Sequence, residues 1–90
     1  MLPPGHEIVD PGLADLRAGR WTAEAYAVLE ARPRLERAGV AVPDVRVERP
    51  SHRLYELLAE EDVATAHGRH HAILRRMASY CRTVESAARR

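Results

Sequence analysis

Ninety residues make one domain, and a chain of this length buries only about 60–65% of the surface its unfolded form exposes, so support from a partner is expected. Hydrophobic residues at 46% suffice for a core, and 30% charged residues with both signs mixed exclude a disordered polymer. A formal net charge of +1 excludes a uniformly basic or acidic surface.

All fourteen basic residues are arginine, and lysine, asparagine, glutamine and phenylalanine are absent. With abundant alanine and valine, this is the bias of a GC-rich genome, so a bacterial source is expected. The single cysteine, Cys81, excludes an internal disulfide and suits a reducing compartment. The first residues lack the basic region and apolar run of a signal peptide. No apolar run approaches the ~20 residues of a membrane span. A cytoplasmic protein with no membrane partner is expected.

Taken in order, residues 1–9 hold two prolines and a glycine and are expected as an extended lead-in. Asp10-Pro11 predicts a helix start, N-cap then proline at the first helical position. Leu13 and Leu16 give that helix its apolar side, and Gly19 ends it. A second helix opens at Thr22, with Trp21 closing onto Tyr26 as a hydrophobic staple. Pro33 ends or kinks it. A short turn over residues 33–38 buries Leu35, and Gly39 with Val40 predicts a Schellman ending.

Residues 40–50 carry valines at 40, 42, 45 and 47, but Pro43 and Pro50 bound the segment and no second strand is available to pair with it. An extended connector over the core is predicted. Ser51 is expected to cap a fourth helix over 52–60, with Leu54, Leu57 and Leu58 inward and a tight joint into the last helix.

That last helix is predicted over residues 62–88, capped by Asp62 behind Glu60 and Glu61. With Val63 at heptad position a, the a sites are Val63, His70, Met77 and Val84. The d sites are Ala66, Ile73, Tyr80 and Ala87, and the e sites are His67, Leu74, Cys81 and Ala88. This wide stripe suits a globular bundle more than a coiled-coil seam. Gly68 marks a kink or a close helix contact. At ~1.5 Å per residue the helix would reach about 40 Å, longer than a domain with a radius of gyration near 12 Å is wide, so part of its apolar face should overhang. The expected fold is all-α: a small bundle of four to five helices, with the long C-terminal helix as its spine and one extended connector.

Candidate chemistry is sparse. His67 and His71 are four apart, the spacing by which a helix offers two imidazoles to one metal, with His52, Glu56 or Glu60 as a third ligand. His70 falls at a core position, and no HExxH or CxxC pattern accompanies the three histidines. Arg69 and Arg76 at position g, with Arg75, Arg82 and Arg89 at f, form a stripe suited to phosphate or carboxylate partners. No aromatic residue interleaves it for base stacking. Residues 1–62 hold eight arginines against twelve acids, net −4, and residues 63–90 hold six against one, net +5. Internal pairing of the two halves is therefore the plain alternative. Ser51-His52 lacks a third member, Cys81 lies on the buried stripe, and no glycine-rich phosphate loop or cofactor motif is present. Gly68 and Ala72 make a small-x-x-x-small step open to a second helix.

The function expected is a non-enzymatic helical interaction module that self-associates, as a homodimer for example, or docks on a larger partner. The alternatives are a metal- or small-ligand-binding domain using His67 and His71, and a nucleic-acid accessory protein using Arg69, Arg75, Arg76 and Arg82.

Overall fold

The structure is a computed structural model and describes residues 2–89. It is all-α with five helices: α1 (His6–Ala18), α2 (Ala23–Glu30), α3 (Arg32–Arg37), α4 (Pro50–Glu61) and α5 (Ala66–Ala88). No strand occurs among the described residues, and the segment between α3 and α4 is extended, as its prolines predict. The molecule measures 42 × 25 × 21 Å with a radius of gyration of 12.8 Å.

The helix at the centre is α2, not α5. Ala25, Ala27 and Val28 are wholly buried and Leu29 nearly so, which covers most of the circumference of an eight-residue helix. None of its eight residues is exposed, which places it inside, whereas an amphipathic helix lies at the edge. Accordingly α1 and α4 sandwich α2, and α5 closes the bundle from outside, burying only Ala66, Met77, Tyr80 and Cys81 of its 23 residues. Leu35, Leu54, Leu58 and Val9 complete the enclosed core.

Most of the predicted local signals hold. Thr22 caps α2, its Oγ1 accepting from the Ala25 amide at 3.2 Å. The Trp21 and Tyr26 rings stack at 5.6 Å. Gly39, with φ of 91°, lets the Val40 and Gly39 amides donate to the Leu35 and Glu36 carbonyls, each at 3.0 Å, as a Schellman ending requires.

Three boundaries differ. α1 begins at His6, so the lead-in ends at Gly5 and Pro11 lies inside the helix. Val9, Gly12, Leu13 and Leu16 form one i, i+3, i+4, i+7 face against the core. Burial of that face outweighs the amide hydrogen bond that Pro11 cannot donate. Gly5, left-handed at φ 87°, is the N-cap in place of Asp10, and its missing Cβ admits the Arg76 carbonyl of α5.

α4 starts behind a left-handed Arg49, φ 50°, with Pro50 as its first residue. Ser51 is therefore not the cap but lies within the first turn. α5 starts at Ala66, one turn later than its pattern suggests. Asp62 ends α4 instead, and its carboxylate accepts the Ala64 amide at 3.0 Å, turning the chain and leaving Val63 72% exposed. Twenty-three residues make α5 about 34 Å long. Gly68 makes no close helix contact, since nothing lies within 4 Å of where its Cβ would stand.

Candidate functional site

α5 carries almost every candidate residue, and the structure divides them. His67 and His71 lie side by side on the exposed face, ring centroids 5.8 Å apart. Two of the candidate third ligands are engaged with each other: His52 Nε2 meets Glu56 Oε1 at 3.1 Å within α4. No group of three or more His, Cys, Asp or Glu that could hold a metal occurs among the described residues.

The arginine stripe is split by its partners. Arg69 pairs with Glu61 at 2.8 Å across the α4–α5 joint. Arg76 turns two nitrogens, Nε at 2.8 Å and Nη2 at 2.7 Å, onto Oε1 of Glu7 in α1. The Glu7 carboxyl is held below the ordinary carboxylate range, first by a backbone amide at its helix start and then by Arg76. Arg82 donates only to Ser79 Oγ at 3.2 Å, and Arg75 and Arg82 have no ion pair among the described residues. These two, with exposed Gly68, Ala72 and Ser86, form the basic outer face of α5.

His70, placed by the pattern at a core position, lies half-buried at the junction of three helices. Ser51 Oγ of α4 is 3.2 Å from its Nε2, and Glu30 Oε2 at the end of α2 is 3.8 Å from the same nitrogen. Tyr55 sets its ring edge-on to the imidazole at 6.2 Å. A serine, a histidine and a glutamate thus meet, but not as a relay. Activating a nucleophile needs serine on one ring nitrogen and carboxylate on the other; here both approach Nε2. Glu30 Oε2 is buried and accepts no hydrogen bond from any described residue. The one hydrogen bond of the cluster, Ser51 to His70, joins α4 to α5.

Two surface features gather at the C-terminal end of α5. On one side Leu2, Pro3 and Pro4 lie along Thr83, Val84 and Ala87 and enclose an apolar cleft of about 300 Å³, with Leu2 62% exposed. On the other, α3 meets α5 through Arg34, whose Nε donates to Glu85 Oε1 at 2.8 Å. That bond holds the Glu85 carboxyl below its ordinary range and raises the Arg34 pKa further. Cys81, beneath this pair, is buried, and burial pushes its thiol pKa up.

The sequence pattern does not announce either feature. Arg34 and Arg37 are three apart and Glu85 and Arg89 four apart, so each pair is readable on its own helix. Their meeting depends on how α3 packs. No helix among the described residues is long and apolar enough to cross a membrane. No family model matches the chain, and no curated protein or solved structure shows significant similarity to it.

Proposed function

We propose that the chain is a non-enzymatic helical interaction module that docks on a larger partner through α5, the partner presenting an acidic and partly apolar surface. The observation that carries this reading is the coverage of α5. Nineteen of its 23 residues are not fully buried, and its last turns run beside the open cleft of Leu2, Pro3, Pro4, Val84 and Ala87. A long amphipathic helix in contact with its own fold along one side has surface left on the other.

Charge selects the partner. Two α5 helices laid face to face would bring Arg75 and Arg82 against their own copies, which opposes a homodimer through this surface and favours carboxylates opposite. The geometry at His70, with both oxygens on one ring nitrogen, supports the non-enzymatic half of the reading.

The test is native mass spectrometry of the untagged protein at rising concentration, then titration with an acidic amphipathic helical peptide at low and high salt. A monomer that binds the peptide saturably, less tightly in salt and less tightly after Arg82→Gln or Ala87→Glu, is the expected result. A monomer that ignores the peptide, or prefers duplex DNA to it, overturns the proposal.

A further inference from the structure

Where α3 ends against the last turns of α5, three guanidinium groups surround one carboxylate. The cleft between the helices has a volume of about 350 Å³, opens to solvent, and is lined by Arg34, Arg37, Ala38, Glu85, Ala88 and Arg89. Arg34 gives its Nε to Glu85, and its Nη nitrogens donate to no described residue. Arg37 and Arg89 are exposed and make no ion pair among the described residues. Both nonetheless act on the Glu85 carboxylate, lowering its pKa beyond the effect of Arg34 itself.

Three cations against one anion leave this cleft at +2, with alanine methyls as the only other lining. We propose that the cleft binds a small phosphate monoester, clamped between Arg37 and Arg89 and touched by the open edge of Arg34. The excess charge is that of a dianion. Arg34 already holds one carboxylate, so the two remaining guanidinium groups, from different helices, suit tetrahedrally disposed oxygens better than a second planar carboxylate. Ala38 and Ala88 leave room for the ester's organic part. The site uses Arg34, Arg37 and Arg89, whereas the docking surface is tested at Arg82 and Ala87, so either proposal can fail alone.

Phenyl phosphate and benzoate, matched in ring and ionic strength, are titrated into the full chain while the arginine Nε resonances are followed. Phenyl phosphate should shift Arg34, Arg37 and Arg89 saturably and leave Arg53 and Arg75 unmoved, and benzoate should bind more weakly. Arg37→Gln, on an exposed side chain, should weaken phenyl phosphate roughly tenfold, the loss of one charge-assisted contact. Glu85→Gln should tighten it, because the competing carboxylate is gone and Arg34 is released. Benzoate binding as well as phenyl phosphate, uniform shifts over all arginines, or no effect of Arg37→Gln would overturn the assignment. Should Glu85→Gln lower the unfolding midpoint so far that the folded state is lost, the Arg37→Gln and benzoate arms decide it.

Discussion

One added methyl group should move stability in opposite directions at two helical glycines. Gly12 lies where α1 crosses α2, and a Cβ there would stand 2.5 Å from the Glu24 carbonyl oxygen, 2.6 Å from Val28 Cγ2 and 2.9 Å from the Glu24 carbonyl carbon. Two of these atoms are helix backbone and cannot swing aside. To regain ordinary contact α1 and α2 must part by roughly 1 Å, loosening the seam of Val9, Leu16, Ala25 and Val28. Overpacking of this kind costs about 1–3 kcal/mol, and the better helix propensity of alanine returns about 1 kcal/mol. Because the obstruction is rigid, the upper part of the cost range applies, and Gly12→Ala should be destabilising by about 1–2 kcal/mol. At Gly68 the Cβ meets nothing within 4 Å, so only propensity remains and Gly68→Ala should stabilise by about 1 kcal/mol. With about 4–8 °C per kcal/mol for a domain of this size, thermal melts by circular dichroism should separate the two variants by roughly 10 °C or more. Urea melts with unchanged m values would show that the folded state, not its compactness, is what shifts. Gly12→Ala melting at or above the parent would refute the close α1–α2 crossing. Gly68→Ala melting below it would mean that something packs on the outer face of α5.

Acid should weaken the fold through three carboxylates held below their ordinary range: Glu7 by a backbone amide and Arg76, Asp15 by the Thr22 hydroxyl and Arg20, and Glu85 by Arg34. Their folded pKa values lie below the unfolded ones, so the stability they give is complete above the unfolded values and is lost as pH falls through the folded ones. The urea midpoint should therefore decline in acid, less steeply at high salt because these pairs are solvent-screened, and Glu7→Gln, Asp15→Asn and Glu85→Gln together should flatten the decline. An acid-insensitive parent protein would count against the pairs. Cys81, 1% exposed with its thiol pKa raised by burial, should react with Ellman's reagent only as the chain unfolds, one thiol per molecule; prompt labelling in native buffer would mean that α5 detaches from the core.

What could be read in advance was chemistry confined to a few neighbouring residues. The hydroxyl of Thr22 and the ring of Trp21 act within one turn, and Gly39 needs only its own backbone freedom to end α3. Signals that depend on distant packing misled. Asp10-Pro11 has the local form of a helix start, yet Val9 is needed in the core, and only a helix begun at His6 brings it there. Asp62 resembles an N-cap and serves instead to end the preceding helix, because a turn over residues 62–65 is needed to reverse direction. The most conspicuous amphipathic pattern marks a helix on the outside of the bundle. The segment around Tyr26, only eight residues long and with none of them exposed, is what the others surround.

The same reasoning explains why the candidate site was only half legible. A helical wheel places Arg69, Arg75, Arg76 and Arg82 on α5, but cannot say that Glu61 reaches the first or that Glu7, 69 residues away, takes the third. With α1, α2 and α4 already enclosing most of the core, α5 needs little more than Met77, Tyr80 and Cys81 to seal it. Ala66 is also enclosed and Ile73 and Val84 pack against the core from its edge, while the opposite face of the helix and its charges carry no such requirement. Residues 63–90 carry a net +5, and Glu7 and Glu61 are the acids from outside that segment that form ion pairs with its arginines among the described residues. Those two pairs leave Arg75, Arg82 and Arg89 facing solvent. Arginines on the outer face of a helix, left without internal ion-pair partners among the described residues, are where an external anion would meet the least competition.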